Sequence, residues 1–135
     1  MNIILFFCEH AVTGSDGKLN VNGIFNELYA SGFPARQEQV ILAGIVEWGR
    51  DEGGKQPFTI HLMDPDENPI FTINGYSEVD ARPHSRPPAR THLIFPLENL
   101  VFTAPGQYQI RMDVAGQRIS GPSLYLLRSY NEQDK

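Results

Sequence analysis

Pro105-Gly106-Gln107-Tyr108-Gln109-Ile110-Arg111-Met112-Asp113-Val114-Ala115-Gly116 is the stretch in which turn chemistry and hydrophobic period agree. Tyr108, Ile110, Met112 and Val114 fall on one face, and Gln107, Gln109, Arg111 and Asp113 fall on the other. A period of two with one apolar face marks a strand that lies half in the core and half in water. Pro105 fixes its own φ and Gly106 can take a positive φ, which predicts a tight turn ahead of the strand. Ala115-Gly116 predicts a second reversal behind it. Parallel strands are normally covered on both faces, so a strand with a wet face belongs to an antiparallel sheet.

Working outward, the same logic predicts partner strands over 2–12, 19–25, 39–48, 57–63, 70–79, 92–103 and 118–127. The first alternates Ile4, Phe6 and Cys8 with Ile3, Leu5 and Phe7. Both of its faces are apolar, which predicts a central position. Gly23 interrupts the second strand and predicts a bulge. Pro96 lies within the strand at 92–103 and predicts an edge position or a bend, because proline has no N–H to give to the ladder. Short strands separated by turn signals predict an all-β fold, an antiparallel sandwich of about eight strands with immunoglobulin-like architecture. One domain spans 1–128, with a long exposed Arg/Pro loop at 80–91 and a polar tail at 129–135.

The 135 residues, 41% hydrophobic and 20% charged, suit one soluble domain that folds without staples. A net charge of −5 argues against general attraction to nucleic acid. A single cysteine, Cys8, excludes an internal disulfide framework and suits a reducing compartment. The apolar run at Ile3–Cys8 has no basic residue before it and is far shorter than the roughly 20 residues of a membrane-spanning helix. The expected location is therefore cytoplasmic, with neither membrane nor nucleic acid as partner.

Pro105-Gly106-Gln107-Tyr108 resembles the entry to the penultimate strand of immunoglobulin-like and fibronectin-like sandwiches, where a tyrosine packs at a corner. Ile110 stands where an antibody domain would carry cysteine, so this resemblance is architectural. Gly17-Lys18, Gly23-Ile24-Phe25, Phe33-Pro34-Ala35 and Pro105-Gly106-Gln107-Tyr108 together resemble an uncharacterised family of small bacterial proteins. That resemblance implies a sandwich and no particular activity, and fold alone confers none.

Cys8 and His10 share a strand face, as a thiolate and its base would need to, but Cys8 follows large apolar residues and is expected to be buried and inert. His10, His61, His84 and His92 are scattered, so no metal site or cofactor is expected. Asp64, Asp66 and Asn68 offer alternate oxygens but lack the glycine and closing glutamate of an EF-hand, and a hairpin turn accounts for them. Arg82, His84, Arg86 and Arg90 concentrate positive charge in the Arg/Pro loop, where guanidinium groups suit a carboxylate or phosphate. No nucleophile elbow, phosphate loop or carboxylate pair is visible, so the chain is expected not to be an enzyme. The expectation is a non-catalytic protein-binding or assembly module, a homodimer or a partner's docking domain. The alternative is a binder of small ligands or anions that uses residues 80–91.

Overall fold

In the computed structural model, which describes residues 1–129, the alternating segments form nine strands. These are β1 (Asn2–Thr13), β2 (Leu19–Phe25), β3 (Glu27–Ala30), β4 (Ala35–Glu47), β5 (Gly54–Met63), β6 (Pro69–Val79), β7 (Arg90–Phe102), β8 (Gly106–Val114) and β9 (Gln117–Arg128). One sheet has the order β2-β1-β4-β7, the other β3-β9-β8-β5-β6. The polar tail expected at 129–135 lies outside the described residues from position 130 onward. No helix among the described residues is long and apolar enough to cross a membrane.

Every pairing is antiparallel except that of β3, which lies parallel to β9 with Glu27 beside Tyr125 and Ala30 beside Arg128. This ninth strand is absent from the sequence expectation because four residues allow only two alternations, too few to stand out as a period. The Arg/Pro loop is also shorter than expected, since β7 already begins at Arg90. Strands β4 and β7 lie in one sheet and β5, β8 and β9 in the other. Immunoglobulin-like sandwiches divide their B and E strands from C, F and G in the same way.

The core sits between the sheets, and β8 contributes to it as its alternation predicts. Tyr108, Ile110, Met112 and Val114 are all 3% exposed or less. They join Leu5 and Phe7 of β1, Val40, Leu42 and Val46 of β4, and Leu97 and Leu100 of β7 in one cluster. Tyr108 donates its hydroxyl to the Ala104 carbonyl at 2.7 Å, and its ring stands edge-on to Phe102 at 4.9 Å between centroids. A buried tyrosine that bonds back to the backbone just upstream is the corner that the resemblance implies.

The register of β8 and β9 passes from Gln109 beside Ser123 to Arg111 beside Ser120. Gly121 and Pro122 therefore both oppose Ile110, which makes a bulge where proline's missing donor costs nothing. Gly23, by contrast, is not a bulge. The β1–β2 pairing keeps one register from Cys8 beside Ile24 to His10 beside Asn22. Gly23 has φ 68°, opposite Glu9, and so bends the ribbon without inserting a residue.

That bend redirects the hairpin. β1 pairs with β4 only as far as Cys8 beside Ile41, and then continues with β2 alone. His92 lies beside Ile45, which pairs with Ile4, nine residues before Thr13. A straight strand would hold Thr13 about 30 Å from that level. Instead its Oγ1 lies 3.0 Å from His92 Nδ1. The β1–β2 ribbon therefore doubles back over the outer surface of its own sheet. Cys8 and Ala43, whose strand positions point to that outer surface, are wholly buried.

Candidate functional site

Arg82, His84, Arg86 and Arg90 do not converge on one point. Arg86 N–H donates to the Pro83 carbonyl in a tight turn, and His84 and Arg86 are exposed on that turn. Arg50 fastens the turn from beneath, donating Nη1 to the Pro83 carbonyl at 3.1 Å and to the Arg86 carbonyl at 2.6 Å. Trp48 fixes the other end, giving its backbone N–H to Ala89 and its indole N–H to Thr91 Oγ1 at 2.8 Å. The loop is exposed as expected, but it is held at both ends by residues of the β4–β5 connection.

Arg82 and Arg90 turn instead towards the folded-back hairpin. Between the Gly17–Leu19 turn, the Arg/Pro loop and the outer surface at Ile45 and His92 lies an open cleft of about 780 Å³. Lys18, Arg82, Arg90 and His92 line it. Arg90 Nη2 lies 2.9 Å from Glu47 Oε2, and Lys18 lies 3.9 Å from Asp16. Arg82 has no ion-pair partner among the described residues.

A second feature lies on the flank of β1. From Asn2 to Phe6 the strand pairs with β4 on one side, whereas pairing with β2 begins only at Phe7 beside Phe25. Past Phe25 the chain leaves this sheet for β3 in the other. No described strand covers the second flank of Asn2–Phe6. This segment carries no charge, and Ile4 is 58% and Phe6 38% exposed beside Ile24 at 55%. A groove of about 240 Å³ separates Ile3, Ile4 and Leu5 from Ile119 to Pro122 of β9. A neighbouring one of about 250 Å³ runs between Phe6, Ile24 and Ser123. Exposed edges are ordinarily blunted by charge, proline or bulges. β7 is an edge strand with Pro96, as expected, while the apolar flank of β1 carries none of these devices.

The remaining candidates resolve into structural groups. Cys8 is buried and His10 exposed, and burial pushes the Cys8 thiol pKa up, away from a reactive thiolate. Asp64 Oδ1 accepts the N–H groups of Asp66 and Asn68 and so closes its own turn, and Glu67 pairs with Arg111 at 3.3 Å. Among the described residues no three His, Cys, Asp or Glu side chains cluster in a way that could hold a metal ion.

The fold and these surfaces define a two-sheet β-sandwich with an uncharged open flank on β1 and a cationic cleft. The chain belongs to DUF6941, a family of unknown function, whose model matches residues 3–126. No curated protein matches it.

Proposed function

We propose that the chain is an assembly module without chemistry of its own, which pairs with a second copy along the open flank of β1. The observation that carries this reading is the uncharged, unpaired flank of Asn2–Phe6 with Ile4 and Phe6 exposed on it. Two such segments running antiparallel about a twofold axis satisfy one another's backbone groups and join two four-stranded sheets into one. A second copy suits this flank because the pairing is apolar at its centre. Although each chain carries a net charge of −5, no like charges meet there.

Native mass spectrometry at about ten micromolar is expected to give a dimer, an affinity within reach of a modest interface. Ile4→Lys places two ammonium groups near the axis and yields a monomer with an unchanged fold. Val12→Lys, at a side chain 57% exposed on the hairpin beyond the bend, leaves the dimer intact. A wild-type protein that stays monomeric, or an Ile4→Lys variant that still dimerises, overturns this reading.

A further inference from the structure

The cleft between the folded-back hairpin and the Arg/Pro loop has the composition of a ligand site. Its volume of about 780 Å³ falls within the usual range for small-molecule pockets. Lys18, Arg82 and Arg90 stand on its walls with the His92 imidazole and the Thr13 hydroxyl, and no carboxylate among the described residues lines it. This is an unusual concentration of cations for a chain of net charge −5. Glu47 engages Arg90 through a single oxygen, Oε2, which receives both Nε and Nη2 and leaves Nη1 without a bond among the described residues. The Lys18–Asp16 pair is long and exposed, and such pairs exchange readily for a better anion. Leu19, Ile45, Pro87 and Pro88 supply an apolar wall beside these charges.

From this arrangement we infer that the cleft binds a small organic phosphate, with its phosphoryl group among Lys18, Arg82 and Arg90 and its carbon skeleton against Leu19, Ile45 and the prolines. Guanidinium and ammonium donors on several sides match the three terminal oxygens of a phosphomonoester better than the two of a carboxylate. The apolar wall gives an organic ester an advantage over the bare ion. The site depends on the reversal of the β1–β2 hairpin, which brings Lys18 and Thr13 to residues more than sixty positions further along the chain.

Calorimetric titration of the intact chain with phenyl phosphate, benzoate and inorganic phosphate tests the assignment. Phenyl phosphate is expected to bind about tenfold or more tightly than either of the others. Arg82→Gln weakens phenyl phosphate binding by a similar factor. Arg86→Gln, four residues away but outside the cleft, leaves it unchanged, and both variants melt close to the wild-type temperature. Absence of saturable phenyl phosphate binding at millimolar concentration overturns the site. Equal losses in the Arg86 and Arg82 variants reduce it to nonspecific charge attraction, and benzoate binding as tightly as phenyl phosphate overturns the phosphate assignment.

Discussion

At the scale of single residues, two buried side chains lead to predictions that differ in kind. Tyr108 is wholly buried, so its hydroxyl must find a partner within the protein, and the Ala104 carbonyl supplies it at 2.7 Å. Tyr108→Phe keeps the edge-to-face contact with Phe102 and removes that bond together with the longer one, at 3.4 Å, that the hydroxyl accepts from the Ala104 N–H, so it is expected to cost about 1 kcal/mol, read as a fall in Tm of a few degrees. No loss would mean that the corner contributes shape alone. Cys8 bears on pH instead. Its thiol is raised above the ordinary value of 9.0 by burial. Above that pH the unfolded chain has released a proton that the folded chain keeps, so folding stability falls as the solution becomes more alkaline. The stability advantage of the wild type over Cys8→Ala should therefore narrow above pH 9.0, the ordinary thiol value, while staying level between pH 6 and 8. Denaturant titrations of both proteins across that range would show it, and a gap that stays constant would mean the thiol is not held in its neutral form.

At the scale of elements, the contact between β1 and β4 governs both the core and the open flank. Gly44 pairs with Leu5, and a Cβ built at Gly44 would collide with the Ile4 carbonyl oxygen. The two backbones approach so closely that only glycine fits, and the obstruction is main chain, which cannot swing aside as a flexible side chain would. Gly44→Ala must push β1 away from β4, at a cost in the upper part of the usual 1 to 3 kcal/mol for overpacking. Because Ile4 sits on the proposed pairing flank, the same substitution should also weaken dimerisation. Gly32→Ala is the matched control, for it has nothing within 4 Å of the added atom and, like Gly44, no positive φ. If Gly44→Ala is no less stable than Gly32→Ala in chemical denaturation, the close approach has no energetic weight.

Considered as a whole, the molecule has one sheet with a largely polar outer surface and one whose outer surface is partly covered by its own β1–β2 ribbon, and the sequence shows this difference only in part. The alternation of β8 is legible because Gln109, Arg111 and Asp113 reach water while their neighbours fill the core, and Thr59, His61, Thr72 and Asn74 extend the polar surface through cross-strand bonds. The doubly apolar run of β1 is legible as a strand of the sheet interior, and the sheet order bears this out. Side-chain period reports which faces are covered, however, and says nothing of flanks. The departure of β2 at Phe25 and the bare flank of Asn2–Phe6 therefore leave no trace in it. The cleft was legible only through Arg82 and Arg90, because Lys18, Thr13 and His92 join them through a reversal marked by one glycine.

The flank is what hydrogen exchange can interrogate across the entire chain. Backbone amides in β8 lie between β5 and β9 and should exchange slowly at any protein concentration. Along Asn2–Phe6, alternate amides face β4 and the open side. Those facing β4 should be protected throughout, whereas those facing outward should exchange quickly in dilute solution and slow down as concentration rises through the dimerisation range. Protection of the outward amides in dilute monomer would show that the flank is already covered. Fast exchange there at every concentration would show that no second copy ever pairs with it, and either result removes the basis for the assembly reading.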